Sequence, residues 1–339
     1  MKSRFKVVTL GKLSGDSLKV EEKEMAKLNA EVELVQVRCK TEDELISVAK
    51  DADAILGGGP LFTRRVMEAL SKCKAIVTYT VGFDGIDLDA ATDHGIIVVN
   101  NPSRAWCVEE VSNHAIALLL ICAKKLILLN DLTRNGRWSE TRKGLLPIGP
   151  IFGQTLGIIG CGDIGRMTAK KTQCFGLRVL GNDPYVDQSQ VSEYGITLVS
   201  LPRLLKESDF VSLHTPLDKQ TWHLIGEPEF KQMKPTAYLI NTARGAIIDE
   251  AALIKALQEK QIAGAALDVF EKEPIDPGNP LLKMNNVVTI PHTASLSDEA
   301  LEAQPFNPSQ EVARVLSGLW PRNPVNKTVK PKVTLRKED

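Results

Sequence analysis

The sequence predicts an α/β protein built from two doubly wound parallel-sheet domains, and three observations carry that prediction. Short β-branched runs alternate with amphipathic stretches of helix length along most of the chain, the rhythm a parallel sheet with crossover helices requires. A segment of the form Gly-x-Gly-x-x-Gly stands between one such run and the helical pattern after it. A long apolar helical pattern separates an earlier strand series from a later one. The chain has 339 residues, which at about 150 residues per domain corresponds to two cores rather than one.

The first series comprises FKVVTL, EVELVQVRC, DAILGG, KAIVTYTVG and IIVVNN, with helical patterns at 17–28, 41–51, 62–72 and 87–94 between them. Helix-length connections between apolar strands demand parallel neighbours covered on both faces, so a first unit ends near residue 105. A long helix is expected from Val108 to about Asn130, followed by a polar, glycine-broken stretch, 133–153, expected as an extended arm. The second series is TLGIIG, RVLGND, ITLVS, FVSLHT, AYLINTA, AGAALDVF and NVVTIPH. A last helical pattern, Asp298 to Ser317, contains Pro305 and Pro308. Each proline lacks a donor and clashes with the preceding turn, so that helix must be broken or kinked.

Composition narrows the function. Lys plus Arg total 42 and Asp plus Glu total 42, giving a formal net charge of zero, and no basic block marks a nucleic-acid or membrane surface. The longest apolar stretch, Ala115 to Ala123, has nine residues, against the roughly 18 needed to span a bilayer. The N-terminus has no signal-peptide pattern. The six cysteines at 39, 73, 107, 122, 161 and 174 form no Cys-x-x-Cys and read as free thiols of a cytoplasmic protein, with no metal site.

Ligands of doubly wound sheets lie outside the carboxyl ends of the strands, and the chemically telling residues follow strands. Gly160-Cys161-Gly162-Asp163-Ile164-Gly165 succeeds LGIIG and opens a helical pattern. Glycines at those places permit a tight turn, approach of a pyrophosphate and helix-strand packing, while the helix N-terminus offers free N–H groups. Asp183, 18 residues past the third glycine, stands where a carboxylate binds the adenosine ribose and repels a 2′-phosphate, so NAD is favoured over NADP. Arg244, Glu273 and His292 each follow a late strand. Arginine can bind a keto acid bidentately. Histidine can exchange the hydroxyl proton as hydride moves, and a paired glutamate fixes its tautomer. Together they compose a hydride-transfer site.

The segments GIIGCGDIGR, SLHTPLDKQTWHLI, MKPTAYLINTARGAIIDEAAL, AALDVFEKEP and NNVVTIPHTAS resemble, in order, the signature blocks of the D-specific 2-hydroxyacid dehydrogenase family, and VTYTVGFDGIDLDAATDHGIIVVNNPS and VEEVSNHAIALLL resemble its first-lobe block and interdomain helix. The resemblance covers about residues 50–325. It implies a Rossmann NAD domain, 108–295, inserted into a flavodoxin-like substrate domain of residues 1–107 plus 296–339, and a homodimer built through the long helix and arm. It implies Arg244, Glu273 and His292 as catalytic residues, the glutamate being the one before Pro274 rather than Glu271. It further implies Thr215 and Pro216 beside the cofactor, and Thr242, Ala243, Arg244, Asp268 and His292 around the nicotinamide. The backbone at Val81 and Gly82, the loop at Gly58 and Gly59, and Arg244 would hold the substrate.

The chain departs from the family pattern at several places. Gly85 stands where Asn is usual and Thr78 where Arg is common, and the substrate loop is bare, Gly57 to Leu61. Val81 replaces the lysine of phosphite dehydrogenases, which disfavours an inorganic anion. With 19 residues after Trp320, no appended regulatory domain of the long phosphoglycerate dehydrogenases is expected. The expected activity is NAD-dependent interconversion of a small monocarboxylic 2-hydroxy acid and its 2-keto acid. The alternative is an NADH-responsive dimeric scaffold like the C-terminal-binding corepressors, which share these blocks, including a segment like Val108-Glu109-Glu110.

Overall fold

The computed structural model describes residues 4–11, 15–28, 30–59, 61–101, 104–140, 148–303 and 305–337. The chain divides into two compact units, Met1–Cys107 with Ser297–Asp339, and Val108–Leu296.

In the first unit β1 (Arg4–Leu10), β2 (Glu31–Val37), β3 (Ala54–Leu56), β4 (Ala75–Val77) and β5 (Ile97–Val99) form a parallel sheet in the order β2-β1-β3-β4-β5. The strands β3, β4 and β5 are wholly buried, as strands covered on both faces must be, whereas the edge strand β2 alternates between exposed and half-buried positions. The end of the chain covers the other edge. Val98 N–H donates to Asn326 Oδ1 at 2.9 Å, and Asn326 Nδ2 donates to Ile96 O at 2.9 Å. Val312, Val315 and Leu316 pack with Val7, Leu56 and Val77 in one apolar cluster.

Those three residues belong to the broken C-terminal helix, which falls into Asp298–Ala303 and Phe306–Leu316. Pro305 caps the second piece and Pro308 is its third residue, where a missing N–H would have no acceptor within the helix anyway. The long helix differs from expectation. It runs Arg104–Lys124, Lys125 turns left-handed at φ 50°, and a separate helix follows at Leu126–Arg134. No glycine or proline marks this break, and the left-handed residue costs about 1 kcal/mol. Of the expected arm, Trp138–Glu140 form a short 3-10 turn, while 141–147, like Pro60 of the substrate loop, lie outside the described residues.

In the second unit β6 (Thr155–Ile159), β7 (Arg178–Asn182), β8 (Ile196–Leu198), β9 (Phe210–Leu213), β10 (Tyr238–Asn241), β11 (Gly264–Leu267) and β12 (Val287–Thr289) form a second parallel sheet, ordered β12-β11-β10-β9-β6-β7-β8. Strand order reverses beside β6, so the carboxyl ends of β6 and β9 flank the position where such sheets hold ligands. Among the described residues no helix is long and apolar enough to cross a membrane.

One buried charge makes the first unit sensitive to pH. Glu21, on the helix Gly15–Met25, is fully buried and accepts hydrogen bonds from Thr9 Oγ1 at 2.9 Å and from the Tyr79 hydroxyl. Burial holds its carboxyl above the ordinary value of 4.5, although both hydrogen bonds pull it down. The fold therefore favours the neutral form, and the stability it contributes is present at low pH and lost as pH rises through the folded-state value. Glu21→Gln keeps the shape without the charge. Its thermal midpoint should gain on the parent's as pH rises from about 4 to about 8; a gap that stays constant over that range would contradict this.

Candidate active site

The glycine loop follows β6 and is shaped by close approach. Gly160 has φ +91°, and a Cβ there would lie 2.7 Å from the carbonyl group of His214 and from Thr215 N, so only glycine fits the turn. Gly165, inside the helix Asp163–Thr172, would set a Cβ 2.2 Å from Gly160 O. Gly162 caps that helix, and a Cβ on it would meet nothing within 4 Å. Two glycines thus build the loop, and the third leaves its outer face open beside Asp163, Ile164 and the first turn of the helix.

Asp183 directly follows β7. Its Oδ2 accepts from Cys161 N–H at 2.8 Å and its Oδ1 from Tyr185 N–H at 2.9 Å, so it shapes a turn and reaches the glycine loop at once. Burial, with Asp183 adding to it, pushes the Cys161 thiol up to about 12, which leaves it inert as a nucleophile. After β9, His214 Nε2 meets Ser212 Oγ at 2.9 Å, and burial lowers its pKa to about 4, so it is neutral at pH 7. Thr215 and Pro216 follow it, and Pro216 O accepts from Thr221 Oγ1 at 2.7 Å.

At the end of β10, Asn241 is wholly buried and acts as a local template. Its Oδ1 accepts from Ala243 N–H at 2.9 Å and its Nδ2 donates to Arg244 O at 2.8 Å. These bonds hold Thr242, Ala243 and Arg244 in a fixed turn, and Arg244 Nη1 donates back to Ala243 O at 2.6 Å. Gly245 then presses on the segment after β11: a Cβ at 245 would lie 1.8 Å from the Phe270 carbonyl carbon. Neither Asn241 nor Gly245 stood out in the sequence; the only signal was their place in the NTARG block.

The segment after β11 carries Glu273, which meets His292. Phe270 N–H donates to Glu273 Oε1 at 3.0 Å, and Glu273 Oε2 lies 2.7 Å from His292 Nδ1. The histidine and glutamate side chains are 49% and 35% exposed, so a solute can reach the ring. His292 follows β12 at φ 52°, a conformation that costs a non-glycine residue on the order of 1 kcal/mol and needs support. Asp268 supplies it. Fully buried, it accepts from His292 N–H through its main-chain carbonyl at 2.7 Å, from Thr293 N–H through Oδ1 at 2.7 Å, and from Ala294 N–H through Oδ2 at 2.9 Å. Three donors of one loop thus converge on one residue.

Apart from Arg244, the residues expected to hold the substrate lie in the first unit. Gly57 and Gly59, at φ +124° and +140°, bracket Gly58 after β3. Val81 and Gly82 follow β4; Val81 is 38% exposed, and its carbonyl accepts from Asn100 Nδ2 at 2.9 Å. Among the described residues no group of three or more His, Cys, Asp or Glu is placed to hold a metal ion.

Residues 116–294 match the model of a family described as D-isomer specific 2-hydroxyacid dehydrogenase, NAD binding domain. Over 290 residues the chain is 41% identical to a glyoxylate reductase of Korarchaeum cryptofilum, covering 84% of this chain and 86% of that one. It is 39% identical to a D-3-phosphoglycerate dehydrogenase of Methanocaldococcus jannaschii, covering 84% of this chain but 54% of that one. Among solved structures, a glyoxylate reductase from Paecilomyes thermophila superposes with TM-score 0.84 at 28% identity, over 96% of this chain and 99% of that one.

The glycines separate into roles that mutation can read. Gly162 has φ −73°, open to any residue, so Gly162→Val should leave the thermal midpoint within about 2 °C and weaken NADH binding by about tenfold or more. Gly165→Val must displace a backbone carbonyl, and should lower the midpoint by at least about 4 °C. Calorimetry and fluorescence titration of NADH check both.

Proposed function

Because this chain belongs to the D-isomer specific 2-hydroxyacid dehydrogenase family, and is thus a nicotinamide-dinucleotide-dependent 2-hydroxyacid oxidoreductase, we propose that it reduces glyoxylate and similar small monocarboxylic 2-keto acids with NADH, using His292, Glu273 and Arg244. The observation that carries this reading is the 2.7 Å contact between Glu273 and a left-handed His292.

When bound on the glycine loop, the reduced dinucleotide supplies a hydride to the keto carbon. His292, protonated on Nε2, delivers its proton to the carbonyl oxygen as that carbon is reduced, and takes it back in the reverse direction. Glu273 holds Nδ1, which fixes which nitrogen faces the substrate and compensates the charge on the protonated ring. Arg244 pairs with the substrate carboxylate through its planar fork. In the first unit the N–H groups of Val81 and Gly82 suit an anion, and Gly58 and Gly59 add backbone without bulk and offer no cation for a phosphate. Thr215, Pro216, Thr242, Ala243 and Asp268 would border the dinucleotide, and Asp183 would bind its ribose and repel a 2′-phosphate.

The match over most of a glyoxylate reductase supports the substrate class. We extend the proposal to a cytoplasmic homodimer joined through the long helix and the residues after it, where Leu126, Ile127 and Trp138 are 47%, 55% and 74% exposed.

A panel of 2-keto acids assayed by NADH oxidation tests the reading. Glyoxylate, pyruvate or hydroxypyruvate should be reduced faster than 3-phosphohydroxypyruvate or oxaloacetate; the opposite order refutes the substrate assignment. His292→Ala should cut kcat by on the order of a hundredfold with NADH affinity kept, while Arg244→Ala should fall hardest on kcat/KM for the keto acid. If both keep parental turnover, the acid-base assignment is wrong and the dimeric scaffold gains ground. NADH should bind at least about tenfold more tightly than NADPH, about 1.4 kcal/mol, and Asp183→Ala should narrow that gap.

A further inference from the structure

A second histidine-glutamate pair stands two residues from the first. Glu271 Oε1 lies 3.0 Å from His223 Nε2, in the same short segment as Glu273, and His223 shares with His292 a left-handed backbone of φ 52°. Glu271 is also locked reciprocally to Glu250: its N–H donates to Glu250 Oε2 at 3.2 Å, and its Oε2 accepts from Glu250 N–H at 3.3 Å. Glu250 is steadied in turn by Asn279 Nδ2 at 2.7 Å.

Both ends of this network reach the proposed site. His223 N–H donates to Ala246 O at 2.9 Å, and Ile225 N–H to Ile247 O at 3.1 Å, so the segment carrying His223 is laced to the turn that begins at Arg244. The Glu271 backbone continues from Phe270, whose N–H holds Glu273 Oε1 at 3.0 Å and whose carbonyl seats against Gly245. Glu271 joins the His223 segment to the glutamate segment through its side chain.

A histidine-glutamate contact that is 32% exposed at each partner adds little stability. The backbone, for its part, does not call for histidine at 223, since asparagine or glycine enters the left-handed region more cheaply. The ring also stacks on Trp222, with centroids 4.8 Å apart, which gives the imidazole a local packing role; its contact with Glu271 gives it a second one.

We infer that Glu271 and His223 are positioning residues that lock the Arg244 turn to the Glu273 segment, and thereby set the carboxylate that orients His292. The inference rests on the acid-base reading above. A displacement of about 1 Å at a reacting group can cost as much as a hundredfold in rate, and loss of this lock, with Gly245 and Glu250 still in place, should cost less.

The test compares Glu271→Ala, Glu271→Gln and His223→Asn with Glu273→Ala, using glyoxylate and NADH on the full chain. Glu271→Ala and His223→Asn should each lower kcat by about tenfold, with KM for glyoxylate and Kd for NADH changed less than about twofold. The thermal midpoint of His223→Asn, which loses the stack on Trp222, should stay within about 4 °C of the parent's. Glu271→Gln, which keeps the length and one of the two acceptor oxygens, should retain several-fold more kcat than Glu271→Ala. The inference is overturned if Glu271→Ala and His223→Asn turn over like the parent while Glu273→Ala is crippled, or if Glu271→Gln is as impaired as Glu271→Ala. If Glu273→Ala itself turns over normally, the acid-base reading fails, and the inference with it.

Discussion

Everything at the proposed site follows from strand direction. A parallel strand can reach its neighbour only through a crossover, so all seven strands of the second sheet start at one edge and end at the other. The glycine loop after β6, His214 after β9, Arg244 after β10, Asp268 and Glu273 after β11, and His292 after β12 are therefore neighbours along a single edge, although they span residues 160 to 292. The hydrogen bonds of the sheet fix the register, and the register fixes which residue is the first to leave each strand.

What happens beyond the strand ends is decided by buried polar groups satisfied by loop backbone. A buried carboxylate or amide without partners costs several kcal/mol, so Asp268 and Asn241 hold their loops tightly: the chain that supplies the donors cannot drift without stranding a polar atom. This is how irregular segments acquire the rigidity of regular ones. A left-handed histidine persists at 292 because its own N–H and the next two are all engaged.

The sequence made the strands legible because β-branched runs bounded by glycine, proline and asparagine have few alternatives. It also made Gly160, Gly162, Gly165, Asp183, Arg244, Glu273 and His292 visible, since each combines an unusual residue type with a position just after a strand. Lys125 was not legible: its helix break comes with no change in residue pattern. Gly245, Asn241 and His223 were hidden for another reason, as each acts through a contact with chain far away in sequence or through a buried bond, and no local spacing encodes that. Glu271 and Glu273 are chemically identical; the family pattern singles out Glu273, before Pro274, but that Glu271 meets a second histidine is visible only in the fold.

The return of the chain's end to the first sheet has a consequence for synthesis. The first five strands leave the ribosome before any of the second unit, yet Val312, Val315 and Leu316, which pack against Val7, Leu56 and Val77, and Asn326, which covers β5, come last. The edge of β5 and one apolar face of that sheet must wait for about two hundred further residues, roughly 10 to 40 s at ordinary elongation rates. The second unit, contiguous in the chain, can close in that interval. The sheet begun before the second unit is thus closed after it, and a nascent chain holds an unfinished sheet edge while the whole second unit is made.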